Sequence, residues 1–87
     1  MMQRDQIKTK TDFLQISDLH LAVFLKTKYH LKIVDMKRDK GRITFVFNTN
    51  GLSGQDLIRN FYNGDDTVRA NDFVRELKDM KALVHNV

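Results

Sequence analysis

"RNFYNGDDTVRANDF", residues 59–73, decides how this chain is read. An aromatic pair is followed by Asn-Gly-Asp-Asp and then by a new run with helical spacing. The stretch is either a set of oxygen ligands or the punctuation between two helices. A calcium loop of the EF-hand kind needs oxygens at alternate positions, a Gly at the sharp turn and a closing Glu at the twelfth place. Counted from Asn63, Gly64 comes too early, and Arg75 and Glu76 fall out of pattern. Punctuation fits better. Gly64 suits the left-handed position after a helix end, while Asp65 and Asp66 supply turn chemistry and negative charge ahead of the next helix. No metal is expected at Asn63, Asp65, Asp66 or Asn71.

Working outward, Ser53 is placed to cap a helix by accepting from the N–H of Asp56, with Leu52 stapling onto Leu57. Leu57, Ile58, Phe61 and Tyr62 recur at helical spacing up to the stop at Asn63-Gly64. The next helix is expected from about Arg69 or Asn71 to Val84, with Phe73, Leu77, Met80 and Val84 as its core stripe and Val74 and Leu83 beside it. Arg75 and Asp79, four apart, form a candidate surface pair. Further upstream, Ser17 and Asp18 open a helix whose residues Leu19, Leu21, Ala22, Val23, Leu25 and Tyr29 cover about half of its wheel, with Phe24 widening the arc. Ser17 is the predicted cap, accepting from the N–H of His20, and Ile16 staples onto Leu21. This helix is predicted to be largely buried.

Between these helices, "LKIVDM" (31–36) and "RITFVF" (42–47) alternate and are rich in β-formers, joined by "KRDKG". They read as a β-hairpin. Ile43, Phe45 and Phe47 share one face and are expected to pack under the helices. The other face then carries Lys32, Val34 and Met36 opposite Arg42, Thr44 and Val46. A short strand is expected at 12–16, and residues 1–10 form a loose arm ahead of a single α+β domain spanning 11–87. The predicted order is β-α-β-β-α-α, a small antiparallel sheet with helices on one face.

Composition narrows the function classes. A chain of 87 residues, 41% hydrophobic and 30% charged, is that of one ordinary globular domain. It has no Cys, and so neither disulfides nor a thiolate zinc site; small secreted domains usually depend on such staples, which favours the cytoplasm. The apolar run Leu19 to Leu25 is far too short to span a bilayer. His20, His30 and His85 lie on separate elements. Ser17 and Ser53 serve as caps and neither sits in Gly-x-Ser-x-Gly, and the glycines at 41, 51, 54 and 64 form no phosphate loop. The protein is therefore expected to be non-enzymatic, with no cofactor and no small-molecule substrate.

Charge is unevenly placed. Residues 1–42 hold ten Lys or Arg against five Asp or Glu, a balance of +5, and residues 43–87 hold five against six, a balance of −1. The cations concentrate in "MKRDKGR", residues 36–42. A basic hairpin can follow a phosphate backbone, with Lys and Arg releasing counterions. RNA-recognition sheets stack bases on exposed aromatics, but Phe45 and Phe47 fall on the core face.

The segments "DLHLAVFL" (18–25), "GRITFVF" (41–47), "NFYNGD" (60–65) and "VRANDFVRELKDMKALV" (68–84) together resemble the family catalogued as domain of unknown function 5659. The resemblance runs from about Phe13 to Val84 and implies a fold, with no activity and no catalytic residue to carry over. The expected function is a small accessory protein that binds DNA or RNA without strong sequence preference through Lys32, Lys37, Arg38, Lys40 and Arg42. The alternative is a protein-interaction module, phage- or plasmid-encoded and aimed at a host protein, or a homodimer, using Val34, Met36 and Val46.

Overall fold

The computed structural model describes residues 13–86, and the arm expected at 1–10 lies outside them. The elements run β1 (Phe13–Ile16), α1 (Leu19–Tyr29), β2 (Lys32–Asp39), β3 (Arg42–Asn48), α2 (Gly54–Asn63) and α3 (Ala70–His85). This is the β-α-β-β-α-α order read from the sequence. The sheet order is β1-β3-β2, with β3 antiparallel to both neighbours. β1 and β2 thus run the same way with β3 between them, a split β-α-β unit.

Phe45 (2% exposed) and Phe47 (0%) face the helices, as their alternation predicts. Above them Leu21, Ala22, Val23, Phe24 and Leu25 are all buried, so the middle of α1 is enclosed on every side. It lies against α3, α2 and β1. Phe61 of α2 meets Phe24 at a ring separation of 5.1 Å, and Met80 of α3 is 1% exposed in the same core. Phe73, Leu77 and Val84 pack around it as the helical stripe requires.

Local signals place the ends. Ser53 caps α2 from its side chain to the Asp56 N–H at 3.3 Å. After α2, Gly64 takes φ 73°, and the N–H groups of Gly64 and Asp65 donate to the carbonyls of Phe61 and Asn60. That pair of bonds is a Schellman motif, and its positive φ explains the Gly. The stretch at 63–66 is a helix stop.

Several expectations are corrected. α1 is capped by Asp18 rather than Ser17: its carboxylate accepts from the N–H of His20 (2.9 Å) and of Leu21 (3.3 Å). Ser17 instead hydrogen-bonds Thr44 across the sheet at 2.9 Å. Leu52 stays 43% exposed, so a staple onto Leu57 contributes little. Arg75 pairs with Asp72 at 3.5 Å, not with Asp79. β2 continues to Asp39, three residues past the expected end, and the hairpin closes in two residues, Lys40 (φ 53°) and Gly41 (φ 84°). Two positive φ values in a two-residue loop mark the primed turn that suits the twist of a hairpin.

The largest correction concerns the second face of the sheet. Ile33 pairs with Phe47, Asp35 with Val46 and Met36 with Phe45, which leaves Val34 as an extra residue, a β-bulge. Directly opposed residues point the same way. Met36 is therefore turned to the core face, where it is half-buried against the central cluster. Simple alternation through 32, 34 and 36 misses this, because a bulge shifts every later side chain by one place.

Candidate functional site

With the bulge in place, cross-strand pairing lays out the face of the sheet that looks away from the helices. Phe13, Asn48 and Lys32 form one row, Gln15, Val46 and Asp35 the next, Thr44 and Lys37 a third with Ser17 bonded to Thr44, and Arg42 and Asp39 the last. Gln15, Lys32, Asp35, Lys37, Asp39 and Arg42 are exposed. Such a polar face is what an antiparallel sheet turned to water on one side should carry.

The five cations singled out from the sequence do not all share a face. Lys32, Lys37 and Arg42 lie on the outward one, and Lys40 sits in the hairpin turn. Arg38 pairs with Ile43 and so points toward the helix side. There its Nη2 donates to the carbonyl of Val84 at 3.3 Å, 46 residues along the chain. A cation at the carbonyl end of a helix is favourably placed with respect to the helix dipole. The contact sets this strand of the hairpin against the last turn of α3, one turn beyond the exposed Lys81. Lys81 was not singled out because no local pattern links residue 81 to residue 38.

Two of these rows carry acids, which tempers the field. Asp39 stands opposite Arg42, and Asp35 stands opposite Val46 with its carboxylate accepting from the Met36 N–H at 2.8 Å. The ion pairs among the described residues are Lys26–Glu76 at 3.8 Å, Arg59–Asp56 and Arg75–Asp72, and none involves Lys32, Lys37, Lys40, Arg42 or Lys81.

The three apolar residues proposed as an interface are separated by the register. Val34 is 50% exposed at the bulge, Val46 is 8% exposed in the central strand, and Met36 belongs to the core side. They do not form one apolar surface. The residue that sequence reasoning passed over is Phe13, 54% exposed at the outer end of the first row. Its place in a short strand was legible, but which face it took was set by pairing with Asn48.

On the helix side, a groove of about 450 Å³ between β2 and α3 is lined by Lys26, Glu76, Asp79, Met80 and Leu83 with Ile33, and Lys32, the first residue of the edge strand, borders it as well as the outward face. Its charges are balanced. Asp66 is occupied by a tyrosine: the Tyr29 hydroxyl donates to its carboxylate. Among the described residues no group of three or more His, Cys, Asp or Glu is arranged to hold a metal ion, and no helix is long and apolar enough to cross a membrane.

No curated protein and no solved structure matches the chain. A family model does, over residues 11–86, which is nearly the whole chain and takes in the hairpin, the Gly64 stop and α3 together. The chain therefore belongs to the family described as domain of unknown function DUF5659.

Proposed function

We propose that this is a small, non-enzymatic accessory protein of the cytoplasm that binds DNA or RNA through phosphate contacts without strong sequence preference. Lys37, Lys40 and Arg42 at the hairpin end make the contacts, together with Lys81 on α3. The supporting observation is the bond from Arg38 to the Val84 carbonyl, 3.3 Å, because it sets the basic hairpin against the helix turn that follows Lys81. None of those four contacting cations is engaged in an ion pair among the described residues, so each can exchange its counterion for a phosphate. A chain without Cys suits a reducing compartment. A self-associating or host-protein-binding face built on Val34, Met36 and Val46 draws less support, since the register splits those three residues.

The test is the affinity for short DNA and RNA oligonucleotides as salt is raised. Log affinity should fall with log salt by about 0.9 per phosphate on duplex and about 0.7 on single strands. Lys37→Glu and Lys40→Glu should each flatten that slope by about one contact. No retention on DNA or RNA at low salt would overturn the reading.

A further inference from the structure

The open face of the sheet joins the basic end to an exposed aromatic. Arg42 and Lys37 stand in its last two rows, and Phe13, 54% exposed, stands in the first beside Asn48 and Lys32. Arg42 and Asn48 stand six residues apart along β3, roughly 20 Å at the usual strand rise. Along that path the Ser17 and Thr44 hydroxyls, 2.9 Å apart, and the amides of Gln15 and Asn48 are able to exchange hydrogen bonds with a base or sugar. Charge and an exposed aromatic ring on one face are the two parts of a single-strand platform: cations follow the backbone and a ring stacks on a base. Duplex offers no exposed base face to Phe13.

We infer that this face takes single-stranded nucleic acid, running from Arg42 and Lys37 toward Phe13, with the Phe13 ring stacked on one base. The inference rests on the proposed phosphate contacts and goes beyond them in naming the strand state and the stacking residue. Asp39 and Asp35 lie on the same face, so the cations determine the path at its Arg42 end and the stack determines it at the other.

The experiment measures binding of fluorescent single-stranded DNA and RNA oligonucleotides, and of the matching duplexes, to the full chain and to Phe13→Ala, Phe13→Tyr and the double variant Lys37→Glu/Arg42→Glu. A lost stack should weaken single-strand binding by roughly 5- to 150-fold. Phe13→Ala should do so while changing duplex binding by less than about twofold, and Phe13→Tyr, which keeps the ring, should restore it. Circular dichroism of each variant confirms that the fold is retained; should Phe13→Ala not fold, Phe13→Leu, apolar but without a ring, replaces it with the same expected loss. If Phe13→Ala leaves single-strand affinity unchanged, or lowers both affinities equally, the inference fails while the phosphate reading stands. If the unaltered chain binds neither form at low salt, or the double variant binds as well as the unaltered chain, the phosphate reading fails and this inference with it.

Discussion

The hydroxyl of Tyr29, the last residue of α1, donates to the carboxylate of Asp66, 37 residues further on in the turn between α2 and α3. At the opposite end of α1, Tyr62 of α2 donates to Asp18 at 3.1 Å, the residue that caps α1. The turn from Tyr62 to Asp66 is thus fastened to both ends of the buried helix, with the Phe24–Phe61 contact between them. Asp66, which the sequence offered as a candidate ligand, holds a tyrosine.

Removing one fastening should be measurable. Tyr29→Phe keeps the ring and deletes the donor, and the expected loss is about 0.5–1.5 kcal/mol. The urea midpoint should drop at an unchanged slope. An unaltered midpoint would mean that the contact contributes nothing.

The same pair makes stability depend on alkaline pH. The Tyr29 hydroxyl is raised above its ordinary value of 10.0, chiefly by its hydrogen bond to Asp66, with burial and the carboxylate's charge adding to it. Tyr62 is raised as well, chiefly by its bond to Asp18. The folded state therefore holds these protons more tightly than the unfolded chain does. Their contribution is complete below the unfolded value near 10 and is lost as pH rises through the folded values above it. The gap in urea midpoint between the wild-type chain and the Tyr29→Phe/Tyr62→Phe double variant is expected to close above about pH 10. A gap that is constant with pH contradicts this.

Capping distinguishes two adjacent residues. Asp18→Ala removes a carboxylate that serves two backbone N–H groups and should cost about 0.5–2 kcal/mol. Ser17→Ala gives up one exposed bond to Thr44 and should stay within about 0.5 kcal/mol. Thermal unfolding of the two variants side by side checks the order.

His30 ends α1 at φ 55°, ψ 35°, a left-handed conformation that disfavours any residue with a Cβ. Relief of about 1–2 kcal/mol of left-handed strain, offset by about 0.5–1 kcal/mol of added chain entropy, makes His30→Gly stabilising by about 0.5–1 kcal/mol. The side chain is exposed, and the bond from its N–H to the Lys26 carbonyl is kept. A lowered urea midpoint would contradict this account.

The bulge predicts unequal responses at two positions that simple alternation makes equivalent. Met36→Asp places a carboxylate on the core side opposite Phe45 and should cost more than about 2 kcal/mol. Val34→Asp, at the half-exposed extra residue, should stay within about 0.5 kcal/mol. Equal losses would mean that the register is regular.

What could be read in the sequence was what neighbouring residues decide among themselves. The Gly64 stop, the Ser53 cap, the two-stranded pattern and the burial of Phe45 and Phe47 all depend on spacing within a few residues. The choice between Ser17 and Asp18 failed because both can accept from the first turn, and the pull of Thr44 on Ser17 comes from 27 residues away. Val34 looks like any strand residue until β3 sets the pairing. Arg38 was read as one more exposed cation of a basic hairpin, yet its face and its Val84 partner depend on where α3 ends. Phe13 likewise became a candidate only when its opposition to Asn48 was known.

The extra residue at 34 has a protective effect as well. β2 is the longer of the two outermost strands, and an outermost strand invites a foreign chain to extend the ladder. Kinked between Ile33 and Asp35, and bearing Lys37, it offers no straight template longer than the stretch from Asp35 to Asp39. Straightening it by deleting Val34 would keep the inward residues inward and yet leave a continuous rail on which fibrils could start.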